Sequence, residues 1–179
     1  MERCRMVFSG SGGQGVITAA IILAETAVLH EGLEAVQTQA YGAAARGGAT
    51  RSDVIISDST INFPKVIQPN VLVCLTQEAY NTFMGIIRPG GLLLTDPRYV
   101  TPQLKVDAVQ REIPMYETVM EKIGKPIVFN ICMLGTIIGL TDLVRSQSIM
   151  KTLETRIPSG FLEMNRKALE LGIALGENA

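Results

Sequence analysis

The sequence has few of the residues that bind metals or form a catalytic pair. Cys4, Cys74 and Cys132 are its only cysteines, and they lie far apart with no C-x-x-C spacing. This pattern offers no iron–sulfur or zinc ligand set and is typical of small apolar residues in a reduced protein. His30 is the only histidine, so no second histidine or neighbouring cysteine completes a nucleophile–base pair. We therefore expect no metal site on this chain.

Long apolar runs and an excess of either charge are also absent. No stretch approaches the roughly 20 apolar residues of a membrane span, and too few apolar residues precede Gly10 for a signal peptide. The formal net charge of −1 gives no general attraction to nucleic acid or membranes. We expect a soluble, cytoplasmic protein with no nucleic-acid or membrane partner.

Composition predicts one domain that spans residues 1–179. With 47% hydrophobic and 18% charged residues, the chain can bury a substantial core. So low a charged fraction also predicts an apolar surface that a partner subunit covers. Without such a partner, the same surface favours self-association of the isolated chain.

A glycine-rich run is the most informative feature of the chain. Between Val7 and Val16 the sequence reads VFSGSGGQGV, and Gly10, Gly12 and Gly15 match the G-x-G-x-x-G spacing of a dinucleotide loop. Gly13 adds a further small residue. A helix that begins near Val16 would point its free N–H groups and its positive dipole end at this loop. The run therefore predicts an anion-binding loop.

Two other interpretations of this run remain open. A dinucleotide site needs an acid near the end of the second strand, whereas Glu34 stands at the beginning of that strand. An autonomous nucleotide-binding protein is thus the alternative rather than the first hypothesis. The glycines could also serve only the close packing of helix on strand. A P-loop is excluded, because Val16-Ile17-Thr18 replaces the required Lys and hydroxyl pair.

A second small-residue segment, from Tyr41 to Gly48, carries a lone cation at Arg46. Its guanidinium could donate paired hydrogen bonds to a carboxylate or phosphate. Gly47 and Gly48 favour this role, since they leave the guanidinium unscreened by side chains. The alternative is a surface ion pair worth about 0–1 kcal/mol.

Apolar strands that alternate with helices predict an α/β fold with three α/β/α layers and a largely parallel, mixed sheet. A hairpin of Arg51–Ser57 with residues 58–61 would supply the antiparallel part. In such sheets ligands bind beyond the carboxyl ends of the strands, where residues 9–15 and 39–48 would meet.

In the apolar helix predicted over Asn130–Val144, Asn130 is interpreted as an N-cap. Its Gly135 and Gly139 are expected to pack on the sheet. Predicted strands are Arg5–Ser9, Glu34–Thr38, Ser52–Ser57, Val71–Leu75, Gly91–Thr95 and Arg111–Pro114; other predicted helices are Val16–His30, Glu78–Ile87, Tyr116–Ile123 and Leu162–Leu175.

Taken together, these motifs resemble the gamma subunit of 2-oxoacid:ferredoxin oxidoreductases, and most closely that of the 2-oxoglutarate enzymes. The resemblance covers about residues 5–175. It depends on the following stretches: Ser9 to Val16, Gln39-Ala40-Tyr41-Gly42, Arg46-Gly47-Gly48, Pro89-Gly90-Gly91, Asn130, and Leu134-Gly135. Asn70 departs from the family, which often has Asp there, and residues 97–125 match poorly.

The resemblance implies a role within a larger enzyme. Such complexes convert a 2-oxoacid and coenzyme A to acyl-coenzyme A, carbon dioxide and reduced ferredoxin. Their thiamine diphosphate, magnesium and iron–sulfur clusters sit mainly on other subunits. The implied partners are alpha and beta subunits, often with a ferredoxin-like delta subunit, and the gamma chain alone would be inactive.

The resemblance also implies site residues. Gly10, Gly12, Gly13 and Gly15 would face the shared cleft, and Arg46 with Gly47 and Gly48 would meet the substrate or coenzyme A. Gln14 would either touch the ligand or only bond to its own turn. Tyr41 and Asn130 would lie at the cleft or at a subunit interface.

Overall fold

The computed structural model describes residues 3–40, 48–103 and 105–179. Within these residues, six strands form one sheet in the order β2-β3-β1-β4-β5-β6. The strands are β1 (Cys4–Gly10), β2 (Glu34–Ala40), β3 (Thr50–Ser57), β4 (Val71–Cys74), β5 (Gly91–Thr95) and β6 (Ala108–Glu112). The helices are α1 (Val16–Glu31), α2 (Gln77–Phe83), α3 (Met115–Lys122), α4 (Phe129–Thr141), α5 (Ser146–Arg156) and α6 (Ser159–Glu177).

The sheet is mixed, as predicted, because β3 runs against its two neighbours. It pairs antiparallel with β1 and β2, whereas β1, β4, β5 and β6 pair in parallel. The predicted hairpin is wrong: β3 pairs with strands that precede it, and residues 58–61 form no strand. The Glu34 carboxylate holds that segment instead, since it accepts hydrogen bonds from Thr60 Oγ1 and Ile61 N.

Helices cover the two faces of the sheet unequally. On one face, α1, α3, α4, α5 and α6 bury the side chains of Met6, Phe8 and their neighbours. On the opposite face, Val7 and Leu72 pack under α2 and the irregular segments around Val66 and Val100. This confirms the predicted α/β fold and shows that one helical layer is much thicker than the other.

The boundaries of α1 agree with the prediction, but its predicted buried face is only partly right. Spacings of three and four in the sequence predict one apolar stripe of Ile17, Ala20, Ile21, Ala24, Ala27 and Val28. Ala20, Ala24 and Ala27 are buried, whereas Val28 is 47% exposed. Ile22 and Leu23, which the stripe omitted, are buried. The helix is apolar on almost every side, so its sequence period does not single out the core face.

Glycines join α4 to α6 rather than to the sheet, so the predicted packing of Gly135 and Gly139 is wrong. A Cβ at Gly135 would overlap the carbonyl oxygen of Leu169, and one at Gly139 would overlap that of Ile173. Gly172 lies equally close to the Cys132 carbonyl. Small residues four apart on both helices thus let the two backbones touch.

An ion pair between Glu25 of α1 and Arg156 of α5 predicts a small, pH-dependent contribution to stability. The hydrogen bond from Arg156 lowers the pKa of the Glu25 carboxyl. A lowered pKa in the folded state stabilises the protein above the ordinary Glu value of about 4.3 and is lost as pH falls through the folded-state value. Both side chains are more than a third exposed, so we expect Glu25→Gln to cost only about 0.5 kcal/mol at pH 7.

Urea unfolding of wild type and Glu25→Gln at pH 7 and at progressively lower pH checks this prediction. The difference should shrink on acidification. Glu163→Gln is the control, because Glu163 is 88% exposed and pairs only within α6. A Glu25→Gln effect that persists unchanged at low pH would contradict the ionic explanation.

Candidate functional site

The glycine-rich loop lies at the edge where the parallel strands end. Gly10 is the last residue of β1 and pairs with Thr50, the first residue of β3. Ser9 stands beside Cys74 at the end of β4, and Cys74 stands beside Thr95 at the end of β5. The loop, Thr50 and the residue after β5 therefore share one edge, as the topology of an open sheet requires of a ligand crevice.

Gln14 fixes the shape of this loop. Its Oε1 accepts a hydrogen bond from Ser11 N at 2.8 Å, and its Nε2 donates one to Leu75 O at 2.9 Å. One side chain thus ties the turn to the strand next to β1. Gln14 is half-buried, and both ends of its amide are engaged within the protein.

The four glycines of the loop differ in whether the structure could accommodate a side chain in their place. Gly13 and Gly15 have φ values of 90° and 72°, which side chains other than glycine rarely adopt. A Cβ at Gly10 would stand 2.5 Å from the Gln14 Oε1. Gly12 is exposed, and a Cβ there would meet nothing within 4 Å. Nothing in the described chain requires glycine at position 12.

Helix α1 begins directly at the loop. Gly15 is its N-cap and supplies no side-chain cap, and the first turn contains no acidic residue. The first hydrogen bond of the helix runs from Ala19 N to Gly15 O at 3.0 Å. The N–H groups of Val16, Ile17 and Thr18 precede that bond, so they and the positive dipole end remain for an anion.

A cleft of about 380 Å³ opens beside the loop. Gly13, Gln14, Gly15 and Thr18 line one wall, and the opposite wall consists of Tyr99, Tyr116, Pro126, Ile127, Phe129 and Asn130. A second hollow of about 360 Å³ lies on the other flank, between the loop and Thr50. The loop is therefore accessible from both sides.

Three aromatic rings form the far wall of the cleft. The Tyr116 ring lies edge-on to the rings of Tyr99 and Phe129, and the Tyr99 and Phe129 rings are tilted to each other. The ring centroids are 5.5 to 6.0 Å apart. The exposed Arg98 guanidinium sits 4.5 Å from the centre of the Tyr116 ring. Sequence reasoning missed this wall. The Asp96-Pro97-Arg98 turn after β5 indicates a loop at this edge of the sheet, but nothing in it indicates which rings meet there.

Asp96 holds this wall in place from a fully buried position. Its Oδ1 accepts a hydrogen bond from Arg98 N at 2.9 Å, and its Oδ2 accepts one from Tyr116 N at 2.8 Å. Burial raises the pKa of the Asp96 carboxyl, and those two bonds oppose the rise. The carboxylate thereby joins the turn after β5 to the start of α3.

Asn130 reaches the loop, but it does not cap α4 as predicted. Val128 occupies the N-cap position, and Asn130 is the second residue of the helix. Its Nδ2 lies 3.5 Å from Gly15 O, and a Cβ at Gly15 would come within 2.8 Å of the Asn130 side chain. Loop and helix approach so closely here that Gly15 has no room for a side chain.

Tyr41, Arg46 and Gly47 lie outside the described residues. Their neighbours in the sequence can be placed: Ala40 pairs with Arg51, and Thr50 pairs with Gly10. The chain thus leaves β2 and re-enters β3 at the edge that carries the glycine loop. Gly48 is described and is half-buried.

The acid that a dinucleotide site would require stands at the wrong end of β2. Glu34 is the first residue of that strand, and its carboxylate is bonded to Thr60 and Ile61. Glu34 pairs with Ser57 at the end of β3, whereas Gly10 pairs with Thr50 at its beginning, so this end of β2 lies away from the glycine loop.

The cysteines do not fit an iron–sulfur cluster. Cys4 begins β1, Cys74 ends β4 and Cys132 lies within α4. Burial raises the pKa of the Cys4 thiol to about 11 and that of Cys74 to about 12, which favours the protonated form over the thiolate that binds metal. Among the described residues, no three His, Cys, Asp or Glu side chains gather as a metal site. No helix in the described part of the chain is long and apolar enough to cross a membrane.

The chain is similar to known proteins over almost its whole length. Residues 5–175 match the pyruvate ferredoxin/flavodoxin oxidoreductase family. This chain belongs to that family. It is 45% identical to the 2-oxoglutarate synthase subunit KorC of Methanocaldococcus jannaschii over 92% of this chain and 89% of that protein. It is therefore a gamma subunit of the 2-oxoacid:ferredoxin oxidoreductase type, similar to KorC.

Solved structures of the family share the fold. The keto/oxoacid ferredoxin oxidoreductase gamma subunit of Geobacter sulfurreducens superposes with a TM-score of 0.89, at 38% identity, over 98% of this chain and 99% of that one. A 2-oxoglutarate:ferredoxin oxidoreductase from Magnetococcus marinus, solved with 2-oxoglutarate, coenzyme A and succinyl-CoA bound, gives a TM-score of 0.88 at 22% identity. The match covers all of this chain but only 32% of that longer one.

Proposed function

We propose that this chain completes the site in which a 2-oxoacid and coenzyme A react in a multi-subunit 2-oxoacid:ferredoxin oxidoreductase. The proposed substrate is 2-oxoglutarate, which the KorC likeness favours over pyruvate or branched 2-oxoacids. The complex would form succinyl-coenzyme A and carbon dioxide and transfer the electrons to ferredoxin. Thiamine diphosphate, magnesium and the iron–sulfur clusters would be bound by other subunits.

The geometry of the glycine loop is the observation that carries this proposal. Gly10 and Gly15 connect a strand end to a helix N-terminus at the carboxyl edge of the sheet. The loop is accessible from both flanks, and its helix brings no acid to the first turn. Such a site suits a carboxylate or phosphate whose remaining surface is held by another chain.

Within this site we assign different roles to the predicted residues. Gly12, Gly13 and Gly15 would let the ligand approach the backbone, and Gln14 would hold the loop in shape through its two hydrogen bonds. Arg46, followed by Gly47 and Gly48, would neutralise the substrate carboxylate or a coenzyme A phosphate. Tyr41 and Asn130 would line the cleft or the adjoining interface.

The proposed partners are alpha and beta subunits, with a ferredoxin-like delta subunit as a further candidate, in the cytoplasm. Mass spectrometry of what co-purifies with the tagged chain from its native host, under exclusion of oxygen, tests this assembly. We expect a thiamine-binding subunit and an iron–sulfur subunit in equal amounts. Recovery of the chain alone would overturn the proposal, and micromolar calorimetric binding of NAD, NADP, FAD or ATP would then favour an autonomous nucleotide-binding protein.

Gly12→Ala separates ligand contact from folding. No described atom lies within 4 Å of the added methyl group, so we expect the unfolding free energy to change by less than about 1 kcal/mol. If a ligand approaches the loop backbone closely, kcat/KM of the assembled complex should fall about tenfold or more. Gly85→Ala, which also adds a methyl group in open space, is the control. If Gly12→Ala reduces the amount of complex that forms but the complex that does form keeps wild-type kcat/KM, the loop is only a scaffold.

A further inference from the structure

A basic hollow lies at the opposite edge of the sheet from the glycine loop. Arg5, Lys65 and Arg88 line it together with Phe63, Ile67, Gln68 and Pro89, and its volume is about 610 Å³. We call these seven residues the basic patch. Arg5 is near the start of β1, and Arg88 stands shortly before the start of β5. None of them belongs to the candidate site described above.

Hydrogen bonds around Asn70 fix the backbone that carries the patch. Arg5 N donates to Asn70 Oδ1 at 2.9 Å, and Asn70 N donates to Arg5 O at 2.7 Å. Arg88 N donates to Pro69 O at 3.2 Å. Hydrogen bonds to residues 69 and 70 thus connect the backbone of Arg5 to that of Arg88.

The irregular segment between β3 and β4 is fixed to the sheet in the same way. Val66 is buried, its N–H donates to Asp53 Oδ2, and its carbonyl accepts a hydrogen bond from Arg51 Nη2 at 2.7 Å. Its neighbours Lys65 and Ile67 point outward and are exposed. Long segments without regular structure that are nonetheless held in place often serve binding.

The charge of the patch is one-sided. No acidic residue is among its described members, and none of Arg5, Lys65 and Arg88 forms an ion pair with a described residue. The whole chain has a formal net charge of −1, so three uncompensated cations in one hollow are a local feature rather than a consequence of composition. Their positive charge would attract carboxylates or phosphates of another molecule.

The apolar members of the patch indicate which kind of anion fits. Phe63 is 54% exposed and Ile67 is 69% exposed, next to the cations. Exposed aromatic side chains beside arginines are typical of protein interfaces. A small anion would stay hydrated on so open a surface and would leave both apolar side chains in water.

We infer that the basic patch docks an acidic surface, with apolar residues at its centre, on another subunit of the oxidoreductase. The inference rests on the proposed assembly. It agrees with the Magnetococcus enzyme, in which the matching region is only 32% of a longer chain, so that further protein accompanies this domain. The carboxylates of that surface would face Lys65 and Arg88 and exclude the water around Phe63 and Ile67.

Carbodiimide cross-linking of the intact, anaerobically purified complex tests the contact directly. The reagent joins an amine to a carboxylate that touches it, so tryptic peptides should show an amide between Lys65 Nζ and an Asp or Glu of another subunit. Lys65→Arg is the matched control, because it removes the amine and keeps the cation. That variant should assemble normally and lose the cross-link.

Charge reversal supplies the second measurement. The Lys65→Glu/Arg88→Glu double variant should bind its partner subunits at least about tenfold more weakly, and the loss should diminish as salt is raised. Lys151→Glu/Arg166→Glu carries the same change of charge on α5 and α6 and should bind as wild type. Far-UV circular dichroism checks that both variants are folded.

The outcomes separate the docking surface from the proposed function. A complex that forms equally well with both double variants, or a Lys65 cross-link only to a second copy of this chain, would overturn the docking surface alone. Recovery of the wild-type chain without other subunits would overturn the proposed function and the docking surface together. A Lys65 cross-link to another subunit, with weaker binding confined to the patch variant, supports both.

Discussion

Gly172→Ala should destabilise the chain by about 3 kcal/mol or more, a large part of the roughly 5–15 kcal/mol that stabilises a typical domain. The added Cβ would overlap the carbonyl oxygen of Cys132 and stand 2.8 Å from the amide nitrogen of Thr136. Both are backbone atoms of α4, so no side chain can rotate away. The helices would have to separate and open the core around Leu134 and Leu169, which are buried there.

Gly160→Ala is the matched control for this prediction because it lies on the same helix. Its added methyl group would meet nothing within 4 Å, and alanine favours helix over glycine by about 1 kcal/mol. We therefore expect unchanged or slightly higher stability. Urea unfolding followed by circular dichroism measures both variants. Equal midpoints would show that α4 and α6 do not meet through their backbones in solution.

The packing of α4 shows what a sequence period can and cannot predict. Gly135 and Gly139 correctly indicated a helix face of small residues, but such a face does not state what lies against it. The answer was present in α6, where Gly172 and Gly176 repeat the spacing of four. When two helices of one chain both have glycines four residues apart, packing of these two faces on each other is a better prediction than packing of either face on the sheet.

Helix α5 was not predicted, for a different reason. Over Ser146–Arg156 the fully buried apolar side chains are only Ile149 and Leu153. One apolar pair four residues apart is too weak a period to distinguish a short helix from a loop. By contrast, β1, the glycine loop and α1 were predicted closely, because an apolar strand, a glycine run and an apolar helix follow one another without ambiguity.

Apart from Asn130, the predicted site residues that line the cleft belong to one of its walls. Its glycine loop is contiguous in sequence, so its spacing could be recognised directly. The facing rings of Tyr99, Tyr116 and Phe129 come from three separate segments and meet only after β5, α3 and α4 are in place. No local pattern joins them. Asp96 was likewise hidden, since its role depends on two backbone N–H groups that the fold brings to it.

The second large effect that we expect is a loss of turnover in Arg46→Ala. Under the proposed role, the guanidinium pairs with a carboxylate of 2-oxoglutarate or a phosphate of coenzyme A. Charge-assisted hydrogen bonds of this kind contribute about 1.5–3 kcal/mol, and each 1.4 kcal/mol is a factor of ten in rate. The kcat/KM of the reconstituted complex should therefore fall about tenfold to a hundredfold.

The affected substrate identifies the anion that Arg46 binds. A fall in kcat/KM for 2-oxoglutarate alone would place the guanidinium at the 2-oxoacid, and a fall for coenzyme A alone would place it at the thioester-forming substrate. Arg46→Lys should recover part of the loss, because it restores the charge without the paired donors. Arg166→Ala, which removes a partly exposed guanidinium that pairs with Glu163 on α6, should leave both values unchanged. If Arg46→Ala behaves like Arg166→Ala, the assigned role is wrong, and the anion must be held by the helix N-terminus at Gly15 or by another subunit.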